Sequence, residues 1–122
     1  MTDQKNKYKE EFIKRLVRFS VDVLNFSEKL KEKKLWSIAD QLIRSTTSIG
    51  ANVVEAKSAS SKREYIHYFQ IALKSANETK YWLLVVSEYC TDLSSKVEKY
   101  QKEADELSRI IGASILTLKG RK

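Results

Sequence analysis

LWSIADQLIRSTTSIGANVVEA, running from Leu35 to Ala56, is the stretch whose reading decides the fold. Alternating steps of three and four residues land on Leu35, Ile38, Leu42, Ser45, Ile49, Asn52 and Ala56. This is the seam of a packed helix, with two polar residues where a bundle ordinarily places Leu or Ile. A flanking row, Ala39, Ile43, Thr46, Gly50 and Val53, widens the buried face with small side chains. Along the same side runs a polar row of Arg44, Ser48, Asn52 and Glu55. The segment therefore reads as a mostly enclosed helix that carries charge and an amide.

Outward from this helix, the composition points the same way. Proline is absent and glycine occurs three times in 122 residues, which favours an all-helical chain over any sheet. That length suits one domain and is short for two. The single cysteine, Cys90, cannot form an internal disulfide and fits a reducing compartment. No apolar run approaches the ~20 residues of a membrane span, and the start, MTDQKNKYKEE, lacks the apolar core of a signal peptide. The expected location is the cytoplasm, away from membranes.

Four helices are expected, with residues 1–7 frayed. The first, about 8–31, carries the seam Phe12, Leu16, Phe19, Val23, Phe26 and Leu30, widened by Ile13, Val17, Val21 and Leu24. It has no Gly or Pro to stop it, only the cationic run Lys29 to Lys34 near its negative dipole end. The second, about 36–58, has Ser37 and Asp40 as a capping pair. The third, about 61–90, opens on the capping box Ser61 to Glu64 and has the seam Tyr65, Phe69, Ala72, Ala76, Thr79, Leu83 and Val86. The fourth, about 95–119, opens on Ser95 and Glu98, follows Val97, Tyr100, Ala104, Leu107, Ile111, Ser114 and Leu118, and meets Gly120 as its C′ residue. Short connections force sequential neighbours to run oppositely, so the expected fold is an all-α, antiparallel, up-down-up-down four-helix bundle.

Counting residues outward from the turns places Arg44 level with Asp22 on the first helix and within reach of Glu78 on the third. A guanidinium can satisfy two carboxylates at once. The same count puts Asn52 near His67 and Tyr68, and Glu55 near Lys62 and Arg63. Asp22, Arg44, Asn52, Glu55 and Glu78 are thus expected as a structural polar network, with a ligand-facing cavity at Arg44 and Glu55 as the competing reading. Catalytic chemistry finds little footing. One histidine, His67, and one cysteine, Cys90, cannot assemble a zinc site, and Gly50, Gly112 and Gly120 are too scattered for a phosphate loop. The expectation is a non-enzymatic protein without metal or cofactor.

QLIRSTTSIGANVVEA, then SASSKREY, then IALKSANETKYWL, resembles the four-helix-bundle family first noticed as proteins encoded in intervening sequences of bacterial 23S ribosomal RNA genes. The likeness covers Leu35 to Leu84 well and the flanking helices by pattern. It implies a bundle that assembles into a ring, a homopentamer. The accessory proteins of diversity-generating retroelements are similar in fold, which implies nucleic-acid binding beside a partner such as a reverse transcriptase.

Charge supports that implication independently. The formal charge is +7 and the pI about 9.5, a balance that favours contact with polyanions. In the expected topology the N-terminus, the second turn and the C-terminus share one end, which gathers Lys5, Lys7, Lys9, Lys57, Lys62, Arg63, Lys119, Arg121 and Lys122 against Asp3, Glu10, Glu11 and Glu64. Two helix N-termini there add amide donors suited to phosphate. The expected task is low-specificity binding of RNA or DNA. The alternative is a protein-interaction scaffold with no affinity for nucleic acid, and its support is a second apolar row on the third helix. That row, Ile71, Trp82, Val85 and Tyr89, is expected first as the interface between subunits.

Overall fold

The computed structural model describes residues 2–120, with side chains from Gln4 onward. Four helices follow one another: α1 (Thr2–Glu32), α2 (Trp36–Ala56), α3 (Lys62–Tyr89) and α4 (Ser94–Gly120), with a short 3-10 turn, Thr91–Leu93, before the last. Contacts between neighbours run in opposite numerical order. Gly50 meets Leu16, Ser48 meets Ser75, Ser45 meets Thr79, and Lys33 meets Asp92 where Arg15 meets Glu103. Rising numbers on one helix face falling numbers on the next, the pattern of antiparallel packing.

The apolar seams turn inward. Leu16, Phe19, Val23, Phe26 and Leu30 from α1 meet Leu42, Ile49, Val53 and Ala56 from α2, Ala72, Ala76, Leu83 and Val86 from α3, and Val97, Ala104, Leu107 and Ile111 from α4. At Gly50 an added Cβ would lie 3.4 Å from the Leu16 Cβ, so the missing side chain lets α1 approach α2 closely. The hydroxyls on α2 and α3 satisfy one another instead of leaving the core. Thr79 Oγ1 donates to Ser45 Oγ at 3.0 Å and Ser75 Oγ to Ser48 Oγ at 2.9 Å. Paired hydroxyls this small permit close helix approach without the penalty of a dry, unpaired polar group.

The helix ends depart from several expectations, each for a local reason. α1 begins at Thr2, ahead of Tyr8, and stops without glycine or proline by a Schellman closure. Leu35 N donates to Leu30 O at 2.9 Å, Lys34 N donates to Lys31 O at 2.9 Å, and Lys34 takes φ 65°. Leu35 then serves as the N-cap of α2 with no side-chain cap, so Ser37 lies inside the first turn and caps nothing. At α3 the expected box forms with a shift: Glu64 N donates to Ser61 Oγ at 3.1 Å, while Glu64 Oε1 accepts from Ser60 N at 2.7 Å, one residue before the cap. α4 starts at Ser94, whose hydroxyl donates to Thr91 O at 2.7 Å. No Ser95–Glu98 bond forms among the described residues, and Gly120 is still helical.

The α1–α4 seam is the loosest of the bundle and is closed by side chains rather than by close backbone approach. Phe26 leans on Tyr100 with ring centroids 5.2 Å apart. Arg15 donates from Nε to Glu103 at 2.8 Å and from one terminal nitrogen to Glu103 and Glu106 at 2.7 Å each. Lys33 Nζ reaches Asp92 at 2.9 Å.

Candidate nucleic-acid interface

The first turn of α3 and the last turn of α4 border an open cleft of about 740 Å³. Ser61 fixes the start of α3 from an extended conformation (φ −151°, ψ 162°), which directs Lys62 and Arg63 outward. Lys119 closes the cleft from α4, and Ile66, His67, Gln70 and Leu118 complete its walls. Its one acidic residue among the described lining, Glu64, accepts a hydrogen bond from the backbone of Ser60, which turns that carboxylate toward the cap. The N-terminal end of the α3 dipole adds positive potential. This is a concave surface with three cations, a histidine, an amide and an apolar floor.

Lys62, Arg63 and Lys119 are thus brought together as expected from the topology. Lys9 Nζ lies 5.4 Å from the centroid of the Tyr65 ring, which places the start of α1 at the same end. Tyr65 itself stacks on Phe69 at 5.0 Å and is not available to a base, whereas Tyr8 is 75% exposed. Lys5, Lys7 and Lys57 are exposed on α1 and after α2. Arg121 and Lys122 lie outside the described residues.

The expected polar network is not formed. Arg44 and Glu55 point to solvent, and among the described residues no ion pair joins Arg44 to Asp22 or Glu78. Glu78 instead accepts from Trp82 Nε1 at 3.1 Å, and Asp22 lies in a small cleft between α1 and α4. Asn52 Nδ2 donates within its own helix, to Ser48 O at 2.8 Å. Ser45, next to Arg44, takes the inward position, and enclosing a guanidinium with two carboxylates would require desolvating all three. The guanidinium fork belongs to Arg15, where hydrogen bonds to Glu103, then to Glu106, raise the arginine's pKa further above its ordinary value. Arg15 and these glutamates are separated by most of the chain, beyond the reach of any count from a single turn.

The expected interface row is also turned differently. Ile71, Trp82 and Val85 are half-buried within the subunit, with Trp82 packed on the core, and only Tyr89 is fully open. A more exposed apolar stripe lies on α1, where Val17, Val21 and Leu24 follow steps of four and three. The described residues hold no cluster of metal-ligating side chains and no helix long and apolar enough to cross a membrane.

A family model described as 23S rRNA-intervening sequence protein matches residues 9–113. The chain belongs to that family. Among solved structures it is similar to a protein of unknown function from the S23 ribosomal protein family of Bacteroides thetaiotaomicron. The two share 32% identity over 85% of this chain and 97% of the other, with a TM-score of 0.81. A search of the curated proteins finds no match. As a member of the 23S rRNA-intervening sequence family, the chain carries its matched segment across all four helices.

Proposed function

We propose that this protein is a non-enzymatic, cytoplasmic homo-oligomer, a ring of five, that binds RNA or DNA with little base preference as an accessory to a nucleic-acid-processing machine such as a reverse transcriptase. The observation that carries this reading is the convergence of Lys62, Arg63 and Lys119 on one cleft at the positive end of α3, where the single carboxylate is already engaged by the backbone. Such a site is suited to phosphate, whose contacts position a nucleic acid without reading its sequence. Assembly would multiply each weak contact by symmetry. The outward stripe Val17, Val21 and Leu24 suits the subunit contact better than the half-buried row on α3.

Fluorescence anisotropy over a salt series tests the binding. Wild type should lose affinity steeply with added salt, and Lys62→Gln/Arg63→Gln/Lys119→Gln should weaken binding and flatten the salt slope by about 0.9 per lost duplex phosphate contact. Undetectable or salt-independent binding would overturn the reading. Light scattering tests the assembly: Val21→Glu should give smaller particles, and an unchanged mass would remove the α1 stripe from the interface. The exposed apolar stripe also favours a second reading, a scaffold for another protein. That reading wins if assembled protein ignores polynucleotides.

A further inference from the structure

The cleft between the first turn of α3 and the last turn of α4 holds more than a phosphate contact uses. Its cations are Lys62 and Arg63 on α3 and Lys119 on α4, but its floor is apolar, made by half-buried Ile66 and Leu118. An ion pair with phosphate gains nothing from that floor. Beyond it stand the exposed imidazole of His67 and the half-buried amide of Gln70. The His67 ring is tilted against Tyr68, with centroids 6.4 Å apart. Neither His67 nor Gln70 makes a side-chain hydrogen bond among the described residues.

Spacing along α3 puts these groups in sequence. Lys62, Ile66 and Gln70 follow steps of four, and Arg63, His67 and Gln70 follow steps of four and three, so all lie on one side of the helix. At about 5.4 Å per turn, the cations come first, then the apolar and ring surface, then the amide. A nucleotide presents charge, sugar and base in that same order. The volume of about 740 Å³ falls within the roughly 300–1,000 Å³ of sites that take small organic ligands. The Gln70 amide offers both a donor and an acceptor, which the edge of any base can meet.

We propose that this cleft takes one unpaired nucleotide, its phosphate against Lys62, Arg63 and Lys119 and its base on Ile66, Leu118 and His67 with Gln70 at its edge, so that the polymer bound is single-stranded. The assignment rests on the nucleic-acid reading above and names the form of the polymer. A duplex keeps its bases paired and stacked, and exposing the face of one costs unstacking. A single strand offers that face freely, and stacking on a side-chain ring tolerates any base. Charge by itself works the other way, because duplex DNA carries one negative charge per about 1.7 Å of axis. The sign of the preference therefore separates a base-holding cleft from a purely cationic one.

Anisotropy with labelled strands of about 12 nucleotides tests this, using a single strand, its duplex and an abasic strand that keeps the phosphates without the bases. Wild type should bind the single strand about tenfold tighter than either the duplex or the abasic strand, where stacking is lost. His67→Ala/Gln70→Ala should lower single-strand affinity about tenfold, to the abasic level, and leave duplex binding within about twofold. Its salt slope should stay at the wild-type value, since no lysine or arginine is removed. His67→Tyr, which keeps a ring, should retain the preference. If wild type binds the duplex or the abasic strand as tightly as the single strand, while Lys62→Gln/Arg63→Gln/Lys119→Gln loses affinity, the single-strand assignment is overturned and the phosphate cleft stands. A preference that survives His67→Ala/Gln70→Ala would place the bases elsewhere and overturn it too. If wild type binds none of the probes, both readings fall. The abasic comparison uses the unaltered protein, so it decides the matter whether or not a variant folds.

Discussion

Lys34→Gly should stabilise this protein. Lys34 is the one non-glycine residue with positive φ among the described residues, at 65°, and it occupies the C′ position of the Schellman closure that ends α1. A side chain in the left-handed region brings Cβ against the following carbonyl at about 1–2 kcal/mol. Glycine removes that strain and raises the entropy of the unfolded chain, which returns about 0.5–1 kcal/mol. The Lys34 side chain makes no hydrogen bond or ion pair among the described residues, so little else is lost with it. The net expectation is a gain of about 0.5–1 kcal/mol, which at about 1.5 kcal/mol per molar urea moves the midpoint upward by about 0.3–0.7 M with the slope unchanged. Lys34→Ala, which keeps Cβ, should leave the midpoint within about 0.2 M of wild type by the same argument. Equal or lower stability of the glycine variant, with an unchanged slope, would refute the assignment of the strain to that residue.

Two further perturbations probe the packing. Arg15→Met breaks the fork to Glu103 and Glu106, whose side chains are 30% and 62% exposed, so the loss should be modest, about 0.5–1 kcal/mol at low salt. It should shrink in 1 M NaCl, where screening reaches about 3 Å, and a loss independent of salt in paired urea titrations would show that packing rather than charge holds the seam. Ser27 is fully buried and its hydroxyl has no hydrogen-bond partner among the described residues. Ser27→Ala should therefore raise stability by about 1 kcal/mol in thermal melts, and destabilisation would mean that the hydroxyl is bonded after all.

The periodic seams were legible from residue order because burial on a helix repeats every three or four positions. Leu16, Phe19, Val23, Phe26 and Leu30 fall inside as their spacing requires, and so do Phe69, Ala72, Ala76, Thr79, Leu83 and Val86. The Ser61–Glu64 signal was legible for the same local reason, since a cap involves groups within one turn. The basic end followed from topology alone: three of its lysine and arginine positions meet in one cleft because short connections bring the start of α3 beside the end of α4. The polar interior was not legible. Arg44 and Ser45 differ by one position, a rotation of about 100° on a helix, and that rotation puts the hydroxyl inside and the guanidinium in water.

Residue order determined by itself that this chain forms four amphipathic helices, that sequential helices pair oppositely, and that cations collect at the end where α3 begins, because each depends on spacing within one helix or on a connection too short to allow another path. Only the tertiary structure decided that Arg15 and not Arg44 holds two carboxylates, and that Lys34 and not glycine closes α1. Those outcomes depend on the rotation and separation of helices far apart in the chain, and a step of one residue, or a few ångströms between α1 and α4, changes which charges meet.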